Sequence, residues 1–249
     1  VLCKVSDEFL TNHSLTKSTM KLVDEVEFKK LLSSLKIEET ISGGSVANSI
    51  VGLSQLENEV GFIGKVSNDE LGQKYEEGLI KEKVKYLYKK EEERIPTGSC
   101  LILITPDSER TMVTFLGTAG KINDKDIKEE DIKSAEMIFL EGYLWDEGDP
   151  RKAFDKAITH SKKVAMSLSD LFCVERHKSN FLELVKNRLD IIFANEQEIL
   201  SLIDAKTFNE AISFSKEIKK NIIITRGEKG AISINQNEIS EIKAKSDLK

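Results

Sequence analysis

Four short apolar runs constrain the fold of this chain more than any other feature. MIFLEG (137–142), VAMSLSD (164–170), DIIFAN (190–195) and NIIITRG (221–227) each end in polar or glycine residues. Runs without strict alternation suit strands covered on both faces. Helical patterns lie between them. Asp149-Pro150 offers an N-cap followed by proline at the first helical position, and Ala153, Phe154, Ala157 and Ile158 mark one face. Residues 175–189 repeat the pattern with Phe181, Leu182, Val185 and Leu189. Thr207 and Glu210 stand at capping-box spacing ahead of Ala211, Ile212 and Ile218. Alternating strand and helix units of this kind predict a parallel sheet with right-handed crossovers.

The first half of the chain reads differently. Residues 46–56 present an apolar helix face (Val46, Ala47, Ile50, Val51, Leu53), followed by a strand at VGFIGKV (60–66) and a helix from Asp69 to about Lys83. CLILIT (100–105), the turn PDSE and RTMVTFLG (110–117) predict an antiparallel hairpin. With TMKLV (19–23) and YLYKK (86–90), the hairpin is expected to build a small separate sheet, a lid on a mainly parallel core. The charged stretch 81–94 reads as a solvated helix end and loop.

Composition excludes several classes of function. Acidic residues number 43 and basic residues 37, a net charge of −6, which leaves no electrostatic footprint for nucleic acid or an anionic membrane. The longest apolar runs, such as 100–104, fall far short of a membrane span of about 20 residues. The N-terminal VLCKVSDEFL has no apolar signal core. Cys3, Cys100 and Cys173 form no CxxC, which fits a cytoplasmic protein without a disulfide framework. Neither they nor His13, His160 and His177 have the spacing of a zinc site.

In an open parallel sheet, ligands bind beyond the carboxyl ends of the strands. Those ends carry Glu141, Asp170, Asn195 and the turn Thr225–Gly230. For Asp170 alone, helix capping is a sufficient explanation. Asn195 and Glu198 open a helix, where three-residue spacing brings them together at the positive end of its dipole; that arrangement suits either hydrated Mg²⁺ with a phosphate or a simple cap. Thr225-Arg226-Gly227-Glu228-Lys229-Gly230 suits close approach of a phosphate or a plain hairpin turn. Neither GxxxxGK[ST] nor GxGxxG occurs, which leaves a nicotinamide-dependent Rossmann enzyme without its fingerprint. Gly43-Gly44 opens the first apolar helix and exposes backbone N–H groups, while Asn48 offers a donor and an acceptor to hydroxyls.

Taken in order, these segments resemble the PfkB (ribokinase-like) family of carbohydrate and nucleoside kinases. GGSVANSIVGLSQLENEVGFIGKVSNDELG (43–72) is similar to that family's first signature, NEQE (195–198) to its N-x-x-E motif, and TRGEKG (225–230) to its T-x-G-x-x-G segment. LTKSTMKLVDE (15–25), ERTMVTFLG (109–117) and FLEGYLWD (139–146) resemble the adenosine-kinase-like branch. The resemblance implies a three-layer α/β/α sandwich with a mainly parallel central sheet and a small β-sheet lid, forming a single kinase domain. Lid strands would come from about 15–25 and 86–117.

The implied activity is ATP-dependent phosphorylation of a primary hydroxyl on a sugar or nucleoside. By position, Gly43, Gly44 and Asn48, with Glu141, would bind the acceptor. Thr225, Gly227 and Gly230 would border ATP, while Asn195 and Glu198 would organise phosphate and Mg²⁺, with Glu198 reaching the metal through water. Two departures qualify this expectation. The family's acceptor-binding acidic residue on the first strand would fall just before Val1, and Asp7 lies too far along to replace it. The D-T-x-G-A-G-D signature, expected after 238–245, does not occur. That signature supplies the general base and the anion hole, so the base is expected beyond Lys249. Asp247 has neither the glycines nor a following helix to replace it. The expectation is therefore of a piece of a longer kinase, incomplete at both ends and inactive by itself. The alternative is a non-catalytic sugar- or nucleoside-binding module of the same fold. A lid-sheet edge would also allow two subunits to pair.

Overall fold

A computed structural model describes residues 1–90, 94–145 and 148–245. Residues 91–93 of the charged stretch, Asp146, Asp247 and Lys249 lie outside the described residues. The expectation of a general base beyond Lys249 therefore rests on the sequence motif alone. The chain divides into two units, Val1–Ile122 and the residues from Asn123 onward.

The first unit runs β1 (Leu2–Lys4), α1 (Asp7–Asn12), β2 (Met20–Leu22), α2 (Glu25–Ser33), α3 (Ser45–Gln55), β3 (Gly61–Phe62), α4 (Glu70–Lys81), β4 (Lys85–Tyr86), β5 (Ser99–Ile104) and β6 (Arg110–Phe115). Strands β5 and β6 form the expected antiparallel hairpin, and β1 and β2 join its two edges in parallel. Alternate residues Leu101, Leu103 and Val113 are fully buried, packed with Cys3 against Leu10 of α1 and Phe28 and Leu31 of α2. One face of this sheet is thus a hydrophobic core. The expectation for YLYKK is corrected: β4 pairs in parallel with β3 in a separate two-stranded sheet, and β1 takes a place in the four-stranded sheet instead. A tyrosine-rich segment signals a strand without naming its partner. Helices α3 and α4 bury Ala47, Ile50 and Leu79 together with Val84.

The second unit runs α5 (Glu129–Ser134), β7 (Ile138–Glu141), α6 (Asp149–His160), β8 (Val164–Ser167), α7 (Leu171–Asn187), β9 (Ile191–Asn195), α8 (Glu196–Leu202), α9 (Phe208–Glu217), β10 (Asn221–Thr225), β11 (Ala231–Asn235) and β12 (Glu238–Ile242). Its sheet has the order β7-β8-β9-β10-β11-β12, parallel from β7 to β10 and antiparallel beyond. Strand β8 buries Val164, Ala165 and Met166 in succession, as a strand covered on both faces should. By contrast β9 and β10 bury alternate residues, Ile192 and Ala194, Ile222 and Ile224, and leave Phe193 38% exposed.

Two helix starts differ from expectation. The N-cap of α6 is Gly148, at φ +95°, so Asp149 and Pro150 both lie inside the first turn. Proline is tolerated there because first-turn N–H groups have no intrahelical partner. Helix α7 begins at Leu171, four residues before the sequence pattern, because the Asp170 side chain accepts the Cys173 N–H at 2.7 Å. The helix then bends at His177 (φ −119°, ψ 22°).

Candidate active site

In the second unit, strand register sets the site. Glu141 lies opposite Ser167, Ser167 opposite Phe193, and Asn195 opposite Thr225. The carboxyl ends of β7, β8, β9 and β10 therefore share one sheet edge, the place where ligands reach a parallel sheet.

Asn195 caps α8. Its side-chain oxygen accepts the Glu198 N–H at 2.8 Å, and its own backbone N–H donates to Glu198 Oε2 at 2.9 Å. Its side-chain amide donates to Glu198 Oε1 at 2.7 Å. This is a complete capping box, with Glu198 only 4% exposed. Burial pushes the Glu198 carboxyl above the usual carboxylate range; the Asn195 N–H opposes that and the charge of Asp170 adds to it.

The donor set decides how Mg²⁺ fits here. No group of three or more His, Cys, Asp or Glu residues among the described residues could enclose a metal ion. Mg²⁺ keeps several waters and is held by one or two carboxylates plus substrate phosphates. A buried carboxylate whose two oxygens each already accept one hydrogen bond fits an outer contact through water.

The segment from Thr225 to Gly230 joins β10 to β11. The Arg226 N–H donates to Gly230 O at 2.8 Å and the Lys229 N–H to Arg226 O at 3.1 Å, so the turn closes on itself. Its glycines answer to different demands. Gly230, at φ +94°, could not carry a Cβ without colliding with the Ile242 carbonyl oxygen. Gly227, at φ +57°, faces open space, with no heavy atom within 4 Å of where a Cβ would stand. Packing explains the first glycine; only backbone conformation constrains the second.

In the first unit, Gly44 is the N-cap of α3, with φ +112° and no side-chain cap. A Cβ on Gly44 would lie 3.9 Å from the Tyr75 hydroxyl. Gly43 has an ordinary φ and nothing within 4 Å of a Cβ, so neither conformation nor packing requires glycine there. Asn48 is exposed on the opening turn of α3, its backbone N–H bonded to Gly44 O at 2.9 Å. Of the expected site residues, Gly43, Gly44 and Asn48 lie at the start of α3 in the first unit, while Glu141, Asn195, Glu198, Thr225, Gly227 and Gly230 lie in the second.

The sequence pattern of pfkB family carbohydrate kinases matches residues 19–247. The chain belongs to the pfkB family. Its fold is accordingly ribokinase-like, an α/β architecture with mainly parallel sheets, and kinases of the pfkB family use ATP. Adenosine kinase from Sinorhizobium meliloti is similar over 100% of this chain and 77% of its own, with TM-score 0.93 and 29% identity. A probable sugar kinase from Rhizobium etli CFN 42 is similar over 98% of this chain and 75% of its own, with TM-score 0.90 and 31% identity. Among curated relatives, 5-dehydro-2-deoxygluconokinase from Clostridium botulinum (strain Eklund 17B / Type B) is 26% identical over 229 residues. The match takes in 83% of this chain and 66% of that relative, so the chain spans just under two thirds of its length.

Within the pfkB-like first signature, Asp69 and Gly72 are architectural. Asp69 caps α4, accepting the Gly72 N–H at 2.8 Å, the Thr97 N–H at 2.8 Å and the Thr97 hydroxyl at 2.6 Å. Burial raises its pKa, but these hydrogen bonds prevail and hold it below the usual value. Gly72 is glycine because the Ser67 carbonyl oxygen occupies the space of a Cβ.

Sequence reasoning missed three residues at the edge of the second unit's sheet. Ser169 has φ +79° and its Oγ accepts the Gly142 N–H at 2.7 Å, while the Tyr143 hydroxyl donates to Ser169 O at 3.2 Å. Burial above all pushes the Tyr143 phenol up, and the negative charges of Asp170, Glu141 and Glu198 add to that. No periodicity foretells a left-handed serine. Arg226, the third, is visible in the sequence only as one letter of the turn motif.

Proposed function

We propose that this chain carries the acceptor and nucleotide sites of an ATP-dependent kinase acting on a primary hydroxyl of a sugar or nucleoside, with an adenosine-like acceptor. The observation that supports this best is the likeness to adenosine kinase from S. meliloti, which extends over the whole chain at 29% identity. In this reading Gly43, Gly44 and Asn48, with Glu141, take acceptor hydroxyls. The unhindered space at Gly43 and the exposed Asn48 amide support that role. Thr225, Gly227 and Gly230 border ATP, and Asn195 and Glu198 organise its phosphates. Mg²⁺ would be reached from Glu198 through water and would supply charge neutralisation on the transferring phosphate.

Phosphoryl transfer depends on positioning and charge stabilisation, and a base must accept the hydroxyl proton. The 249 residues, Val1 to Lys249, hold no D-T-x-G-A-G-D segment. The proposal is therefore that they bind ligands without normal turnover, since the residues that would supply the base and the anion hole are not among them. Three cysteines outside any disulfide suit a cytoplasmic setting, and the edge of the four-stranded sheet at β2 offers a route to a homodimer, the β1 edge being covered by Glu38 and Glu39.

A second reading, a sugar-acid acceptor, is favoured by the 5-dehydro-2-deoxygluconokinase relative. Calorimetric titration of the chain with adenosine, ribose and 5-dehydro-2-deoxygluconate, alongside an assay of ADP release from ATP, separates the possibilities. Saturable adenosine binding without ADP release is expected. Binding of the sugar acid alone would overturn the nucleoside assignment, and robust ADP release would overturn the proposed inactivity.

A further inference from the structure

Arg226 is a heavily engaged cation of the second unit. Its Nε donates to Glu196 Oε2 at 2.8 Å, and a second guanidinium nitrogen lies 3.6 Å from Glu241 Oε1. The guanidinium carbon sits 3.8 Å from the centroid of the Phe208 ring. The Arg226 side chain is 16% exposed and that of Glu196 26% exposed, so this is a partly buried ion pair rather than a solvated one. Few side chains other than arginine can stack on a ring and present donors in a fixed fork together.

The clamp is built between two segments that the proposed function assigns to the nucleotide. Arg226 belongs to the turn Thr225–Gly230, and its own N–H and C=O close that turn through Gly230 and Lys229. Glu196 directly follows Asn195 and precedes Glu198 in α8, and Thr225 lies opposite Asn195 in the sheet. Phe208 opens α9. The pairing of β9 with β10 ends at Asn195 and Thr225; past that point Arg226 supplies a cross-connection between the two segments.

We propose that Arg226 is a positioning residue for the nucleotide: through Glu196 and Phe208 it fixes the Thr225–Gly230 turn relative to Asn195 and Glu198. This rests on the nucleotide reading of those segments. Arg226 acts through the turn and is not assigned a contact with ATP. Its charge is already matched by Glu196, and its side chain is committed to the ring and the carboxylate.

The test compares binding of Mg-ATP and of adenosine to the 249-residue chain by calorimetry, for the parent, Arg226→Met, Arg226→Lys and Glu196→Gln. Arg226→Met and Glu196→Gln are expected to weaken ATP binding about tenfold, the loss of one charge-assisted hydrogen bond, with adenosine affinity unchanged. Arg226→Lys keeps the charge without the fork and should fall between. Equal weakening of both ligands would mean a merely structural role and overturn the inference, as would ATP affinities all within about twofold of the parent. Glu196→Gln leaves the Arg226–Phe208 stack in place, so it gives a reading even if Arg226→Met does not fold. No ATP binding by the parent itself would overturn the nucleotide reading, and this inference with it, which is a distinct result.

Discussion

Asn195 and Glu198 satisfy one another: the Asn195 backbone N–H and side-chain amide donate to the two carboxylate oxygens of Glu198, and the Asn195 side-chain oxygen accepts the Glu198 N–H. A motif that the resemblance ties to nucleotide chemistry is therefore also a complete helix cap, and the two roles separate under mutation. Asn195→Ala removes the cap and leaves a buried carboxylate short of a donor, at a cost of about 3 kcal/mol in urea denaturation. Asn195→Asp keeps the shape but sets a carboxylate against Glu198 Oε1, and should cost more than alanine. A fully stable aspartate variant would rule out this account of the contact.

The same pair gives stability a pH dependence. Burial raises the Glu198 pKa in the folded state above the ordinary 4.5. The folded state then holds its proton more tightly, so this contribution is full below pH 4.5 and is lost as pH rises through the folded value. Against Glu198→Gln, which cannot titrate, the parent should lose stability from about pH 4.5 upward until the folded pKa is passed. Parallel stability curves for parent and variant across that range would contradict the assignment.

The two turn glycines should respond differently to alanine. Gly227→Ala strains only the backbone, at about 1–2 kcal/mol. Gly230→Ala adds a collision with the Ile242 carbonyl and should disturb the β11–β12 pairing as well. Hydrogen exchange of the β12 amides reads this directly: faster exchange in the Gly230 variant and unchanged exchange in the Gly227 variant. If the two variants exchange alike, packing does not distinguish the positions.

Gly43→Ala separates folding from binding in the first unit. With an ordinary φ and open space, the methyl group should leave stability within about 0.5 kcal/mol or raise it slightly by stiffening the unfolded chain. Acceptor affinity should nevertheless fall if backbone at Gly43 approaches a hydroxyl. Unchanged affinity in a titration with adenosine would remove Gly43 from the site.

Asp69→Ala removes three hydrogen bonds, one of them the α4 cap, for a loss of about 3 kcal/mol. In a double-mutant cycle the losses from Asp69→Ala and Thr97→Val should be less than additive, because both substitutions remove the bond from the Thr97 hydroxyl to Asp69. Thr97→Val has its own cost as well, since that hydroxyl also accepts the Ser67 N–H at 3.0 Å. Strict additivity between the two would show that they do not act through each other.

Much of this arrangement is legible in the chain. The four parallel strands announce themselves as apolar runs, and their polar ends locate the sheet edge where Asn195 and Thr225 pair. Local chemistry also reads correctly at Asp170, since a cap is decided within three residues. What is illegible is non-local. YLYKK looks like a strand of the four-stranded sheet because side-chain pattern does not encode which partner lies across a helix. Leu2–Lys4 is too short for periodicity to detect. The left-handed Ser169 and the ring beneath Arg226 are products of tertiary packing, which no window of the sequence contains.

The Asp69–Thr97 contact has a consequence for how such chains are classified. Asp69 and Gly72 lie in the stretch that resembles the family's first signature, yet here they hold a helix start against the loop that carries Thr97. Matching that stretch certifies that a scaffold has been assembled. A relative that had abandoned phosphorylation altogether would keep these residues for as long as it kept its shape, so their presence is a poor witness to whether a member still works.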